Sequence, residues 1–122
     1  MTTPAKVKLL ILQGATFRKR LRWSSPSGVP IDLTACTARM QVREEKSSPT
    51  VLLSLGTTGA PDTGLIVLGG VDGTIDLSVS AEITAAIDWT SGVWDLEIIM
   101  SNGDVVRLAE GSVSVSAEVT RD

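Results

Sequence analysis

Apolar and polar residues alternate along most of the chain, and this alternation predicts a protein built from short strands. The clearest case runs from Thr37 to Arg43. Ala38, Met40 and Val42 fall on one side and Thr37, Arg39, Gln41 and Arg43 on the other, a strand with one dry and one wet face. Pro30-Ile31-Asp32-Leu33-Thr34 leads into it as an extended entry to a turn, because Pro30 lacks an N–H and Asp32 and Thr34 can bond nearby backbone. Thr74 to Ser80 alternates in the same way, with Ile75, Leu77 and Val79 inward. Val93 to Met100 does so again, with Trp94, Leu96, Ile98 and Met100 inward and Asp95 and Glu97 outward.

Two stretches near the start depart from simple alternation. In Lys6 to Gln13, Val7, Leu9 and Ile11 share one face, yet Leu10 and Leu12 make the other face apolar at its far end. A strand apolar on both faces is central in its sheet or pressed against a partner chain. In Thr16 to Trp23, Phe17, Leu21 and Trp23 share a face with Lys19, and Arg18, Arg20 and Arg22 line the opposite one. Three arginines in such a row must be solvated or meet acids. Val51 to Leu55 and Leu65 to Leu68 are shorter strand candidates. The one expected helix covers residues 81–87, capped by Ser80, with Ile83, Ala86 and Ile87 at helical spacing; at two turns it needs docking.

Turn signals separate these elements. Ser24 to Gly28 and Glu44 to Pro49 are loops by composition, and Gly56 to Gly64 is a run of small residues expected to be mobile. Asp72-Gly73 is a hairpin signal, and Asn102-Gly103 predicts a type I′ turn with two positive φ angles. In the last strand the apolar parity changes, from Val106 and Leu108 to Val113, Val115, Ala117 and Val119. Something must absorb that slip, and Gly111 is the expected site of a bulge or a bend between sheets. The pattern is all-β, an antiparallel β-sandwich or barrel of about eight short strands with one short helix near 81–87. Residues 1–5 read as a flexible arm and 6–122 as a single β-sandwich domain.

Composition adds exclusions. The chain has 122 residues and no His, so Ser–His and Cys–His catalysis and the commonest metal ligand are absent. No phosphate-binding glycine loop is present. Asp72 and Asp76 lack the further ligands of a calcium loop. The carboxylates Asp95 and Glu97 read as a solvated strand face, or one meeting the Arg18–Arg22 strand, before a hydrolase pair. No catalytic residue, cofactor or metal is expected. Cys36 reads as an inert buried thiol. The apolar run Val7 to Leu12 is too short for a membrane span or a secretory signal.

Charge is divided along the chain. Residues 1–61 hold nine Lys and Arg against three acids, and residues 62–122 hold two against eleven, +6 and −9. The halves pair inside the domain or between molecules. The overall pI near 4.9 argues against nucleic acid at the Arg18–Trp23 cluster. Leu10, Leu12, Arg18, Arg20, Arg22 and Trp89 are the candidate protein-interface residues, Trp89 as an anchor beside a turn.

The ordered set of short motifs resembles a group of small virion proteins of tailed bacteriophages and prophages. It comprises Gln13-Gly14-Ala15-Thr16-Phe17, Trp23, Gly28-Val29-Pro30-Ile31-Asp32-Leu33-Thr34 and Thr37 to Arg43. Later come Gly73-Thr74-Ile75, Ser80-Ala81, Trp94-Asp95-Leu96-Glu97, Arg107-Leu108, Glu110-Gly111 and Val119-Thr120. The chain is also similar to the N-terminal module of phage baseplate upper proteins. It departs from the pattern at Ala35-Cys36, where Gly and then an aromatic would stand. The resemblance implies an immunoglobulin-like or jelly-roll-like sandwich with a structural role in the particle and without enzyme activity. Together with the charge division it leads to the expectation of a tail or baseplate component or a fibre-attachment adaptor in a homo-oligomer or symmetric assembly with other virion proteins, made in the host cytoplasm and placed in the virion, in the tail rather than the head. A capsid decoration protein is the alternative, and an assembly factor or nucleic-acid-binding module the third reading.

Overall fold

The structure, a computed structural model, describes residues 3–58 and 63–120. Nine strands form one sheet: β1 (Ala5–Lys6), β2 (Leu9–Leu12), β3 (Phe17–Arg22), β4 (Thr37–Arg43), β5 (Leu53–Gly56), β6 (Gly64–Leu68), β7 (Thr74–Val79), β8 (Ser91–Ile99) and β9 (Val105–Ser116). A single 3-10 turn, Gly70–Asp72, lies between β6 and β7, and helix α1 (Ala81–Ala85) follows β7. Ser80 caps that helix as expected, its hydroxyl accepting from the Ile83 N–H. Met1 and Thr2 of the expected arm lie outside the described residues, as does the Gly59–Asp62 part of the small-residue loop; Ala5 already belongs to β1.

Strand order is β1-β9-β8-β4-β5-β6-β7-β3, with β2 also on β9. The fold is all-β, but the sheet is mixed, which corrects the expectation of an antiparallel one. β1 and β2 run parallel to β9, and β5 runs parallel to β6. Alternation tells which face a side chain takes and carries no strand direction, so sequence pattern alone could not reveal this.

Within the strands the expected faces are those observed. Ala38, Met40 and Val42, then Ile75, Leu77 and Val79, then Trp94, Leu96 and Ile98 are all buried. Each of the larger ones contributes about 1.5–3 kcal/mol by leaving water. Leu33 plugs the core between β3 and β4: its N–H bonds Gly70 O, and Asp32 Oδ1 accepts from the Thr34 N–H at 2.9 Å.

The β8–β9 hairpin shows how the parity change is absorbed. Its turn holds three residues rather than two. Met100 N bonds Asp104 O, Gly103 N bonds Met100 O, and only Gly103 has a positive φ. This is a type I turn closed by a left-handed glycine, not the type I′ turn expected from Asn102-Gly103. The extra turn residue pairs Ile98 with Val106 and keeps both on the core side. A bulge then places Leu108 opposite no partner, and Leu96 pairs with Ala109. Leu108 and Ala109 are both buried. The slip is real, but it sits at Leu108 and not at Gly111, where pairing is regular.

Gly111 has a different role. It pairs with Trp94, and a Cβ there would stand 1.9 Å from Val7 O. The bare glycine lets the first strand bow over it, and the buried Trp94 indole N–H is shared between Val7 O and Ser112 O, both at 3.2 Å. This bow separates β1 from β2, which otherwise keep one register on β9.

Ala35 is the one non-glycine with a positive φ among the described residues, at 62°. Cys36 N bonds Leu33 O across it, a type II arrangement whose second central residue favours Gly. Cys36 itself is half-buried rather than fully buried. Substituting Ala35→Gly is expected to stabilise the fold by about 0.5–1 kcal/mol, the left-handed penalty less the added freedom of the unfolded chain. Thermal denaturation of both proteins measures it; a lower midpoint for the glycine variant would contradict the assignment.

Candidate functional site

β2 and β3 are consecutive in the chain yet lie at opposite ends of the sheet. The residues between Leu12 and Phe17 therefore force the sheet to curl until its two ends face each other. The link is a tight turn, with Ala15 N bonded to Leu12 O. It is clamped from three sides. Thr84 of α1, fully buried, accepts from Gly14 N at 3.1 Å and donates to Ala15 O at 2.8 Å. Gln13 Nε2 donates to Ile87 O at 2.9 Å, and Gln13 Oε1 accepts from Glu118 N at 2.8 Å. The Gln13-Gly14-Ala15 motif is thus the fastening of the curled sheet.

Below this fastening the two ends are not zipped together. Val7 N bonds Glu110 O and Gln13 N bonds Ser116 O, so odd residues of this segment face β9 and the N–H groups of Lys8, Leu10 and Leu12 face away. Trp23 N bonds Gly73 O, so on β3 Phe17, Lys19 and Leu21 face β7, while the N–H and C=O groups of Arg18, Arg20 and Arg22 face away. Between these free edges lies a cleft of about 370 Å³ lined by Lys8, Leu10, Leu12, Phe17, Arg18 and Lys19 among others. Leu10 is 57% exposed and Leu12 51%.

Three of the six expected interface residues, Leu10, Leu12 and Arg18, thus meet in one cleft. Arg22 is exposed further down β3. Arg20 is held by Asp76 of β7 in a two-pronged pair at 2.7 and 3.0 Å, each group stabilising the charge of the other. Trp89 lies apart from them. It is half-buried and lines a separate groove of about 560 Å³ with Val51, Leu52, Ile83 and Ile87. Lys19 was missed: it projects toward the core side between Phe17 and Leu21 yet stays exposed. A charge set into the apolar face of an alternating run is itself the signal of an edge strand. Leu65 and Val67, exposed on β6, were not expected either.

Three of the nine cations of residues 1–61 meet acids of residues 62–122 inside the domain. Arg39 bonds Glu97 at 2.8 Å, Lys6 bonds Glu110, and Arg20 bonds Asp76. Asp95 and Glu97 therefore face Arg107 and Arg39 rather than the Arg18–Arg22 strand. Lys8, Arg18, Lys19 and Arg22 are left on the β2–β3 cleft and its border with no ion pair to a described residue. Asp95 and Glu110 are paired across β8 and β9 in a second cleft with Lys6, Lys46 and Arg107. The Lys6 ammonium holds the Glu110 carboxyl below its usual range, whereas partial burial, then Glu97, pushes Asp95 up.

No metal-binding group of three or more Cys, Asp or Glu occurs among the described residues, and no helix there is long and apolar enough to cross a membrane. No family model matches the chain, and no curated protein matches it in sequence.

Two outcomes are expected from this geometry. Thr84→Val keeps the shape of the clamp but leaves Gly14 N–H and Ala15 C=O unpaired, and it should cost about 1–3 kcal/mol in chemical denaturation, with Thr84→Ser close to the parent. Asp95 takes a proton more readily in the folded chain than in the unfolded one, so its ionisation weakens the fold as pH rises. Asp95→Asn should raise the melting temperature at pH 7 by about 1–3 °C, since the group is half exposed and screened. The gain should vanish as pH falls through the folded-state pKa of Asp95; a gain that grows on acidification would contradict this.

Proposed function

We propose that this protein is a non-enzymatic structural part of a tailed-phage particle, a tail or baseplate component or fibre-attachment adaptor that works through protein–protein contacts. The observation that carries the reading is the pair of unpaired strand edges at the β2–β3 cleft. They are rimmed by exposed Leu10 and Leu12 and by cations without internal partners. Exposed backbone edges next to apolar side chains are surfaces that another chain can pair with. A patch of one sign on one subunit that meets a different patch on the next gives a heterologous contact, which closes into the rings common in such assemblies. The likeness of the ordered motifs to small phage virion proteins supports the same reading, and the absence of His agrees with a role other than catalysis. In this reading the sheet is an immunoglobulin-like sandwich. β6, β7 and β3 fold over the remaining strands, and the joint is the short β5–β6 pairing, which consists of Leu55 with Gly64 and Gly56 with Leu65.

Immunogold labelling of purified particles with antibody to this protein tests the proposal. Label at the tail end is the expected result. Label over the head would replace the adaptor with a decoration protein. Absence of label with an accessible epitope would contradict a place in the mature particle and favour the assembly-factor reading.

A further inference from the structure

The β2–β3 cleft has a chemistry specific enough to name its occupant. We infer that the free edge of β3 receives an extended strand from a different protein, acidic at alternate positions. The inference rests on the protein-contact role proposed above and adds the partner's chemistry to it.

The main-chain N–H and C=O groups of Arg18, Arg20 and Arg22 point away from β7. They form the ladder an added strand needs. The side chains on this edge select what can use the ladder. β3 carries Arg18, Lys19, Arg20 and Arg22 within five positions; Asp76 pairs directly with Arg20 and acts on Arg22 only at longer range. Arg18 and Arg22 project from the outer face and Lys19 from the inner one. Lys8 adds a charge across the cleft. Cations on both faces of an edge repel neutral and basic strands and admit an acidic one, so the same residues protect the edge and specify its partner.

A second copy of this chain does not meet that description. Antiparallel pairing of β3 with β3 would bring arginines against arginines. The acid-bearing strands among the described residues, β7 with Asp76, β8 with Asp95 and Glu97 and β9 with Glu110, are already paired on both sides, β7 by β6 and β3, β8 by β4 and β9, and β9 by β8 and by β1 and β2. With its acids turned to Arg18 and Arg22 on the outer face, the incoming strand would turn its apolar residues to Phe17 and Leu9 on the inner face.

The test uses the full chain and the peptide acetyl-Ser-Glu-Val-Asp-Val-Glu-Val-Ser-amide. Amide hydrogen exchange is followed by NMR. Saturating peptide is expected to slow the amides of Arg18, Arg20 and Arg22 by at least about tenfold, because each would be enclosed in a ladder hydrogen bond. A peptide with Lys in place of the acids, and one with Pro in place of the central Asp, should give no protection. R18E/K19E should weaken binding by about tenfold or more and favour the Lys peptide, and the neutral R18Q/R22Q should lose less. Unchanged exchange at the three arginines, equal protection by the Pro peptide, or indifference to charge reversal would each overturn the inference. Tail labelling together with a failed peptide would remove the acidic strand and leave the structural role standing. Peptide binding without particle labelling would do the reverse.

Discussion

The turn at Gln13-Gly14-Ala15 is the constraint on which the rest of the structure depends. It joins two strands that belong to opposite ends of one sheet, so the sheet has to curl. The turn cannot do this alone, because a connection this short under curvature needs its polar groups satisfied. Thr84 supplies both a donor and an acceptor to it from the first helical turn after β7, and Gln13 reaches to the chain after α1 and to the chain after β9. The short helix, marginal by itself, is therefore placed by the same contacts that close the sheet. Glycine is required at position 14 for two reasons: its φ is +85°, and the Glu118 carboxyl occupies the space a side chain would need.

A second adjustment accommodates the first strand along β9. The three-residue turn at Ser101–Gly103 and the bulge at Leu108 shift the register in opposite senses, so that apolar residues stay inward on both arms of the hairpin. Beyond the bulge Trp94 meets Gly111, and the space left by the missing side chain holds the Val7 backbone. The tryptophan thus both fills the core and fastens the interrupted first strand, which explains why β1 and β2 share a register although they are separate. The only described ionisable residue that is buried here is Glu110, on the outer face, and Lys6 of β1 neutralises it.

Much of this was legible in the sequence, for identifiable reasons. Strand positions and faces followed from alternation: Thr37–Arg43 was found to the residue, and Ser80 capped the helix as its side chain suggests. The slip in the last strand was legible as a parity change, but its place was not. A bulge can sit at any residue that packs on both sides of the kink, and Leu108 with Ala109 does so as well as a glycine would. Strand direction was illegible, because parallel and antiparallel partners present the same alternating faces. Leu10 and Leu12 make their strand apolar on both faces, which read as a central strand or one pressed against a partner chain; β2 is not central, and both side chains are exposed. Trp89 could not be joined to them, since its position depends on how the chain leaves α1. The internal share of the +6 and −9 division likewise needed the register: Arg20, Arg39 and Lys6 find acids only because of which residues they face.

Lys8, Arg18, Lys19 and Arg22 stay on the open cleft and its border with no ion pair to a described residue. Hydrogen exchange of the free protein tests this directly, residue by residue. The account predicts an alternating pattern on β3, with the amides of Phe17, Lys19 and Leu21 protected by β7 and those of Arg18, Arg20 and Arg22 exchanging fast. It predicts the same alternation on β2, with Leu9 and Ile11 slow and Leu10 fast. Uniform protection along both strands in the free monomer would mean that the edges are paired with each other, and it would contradict the account.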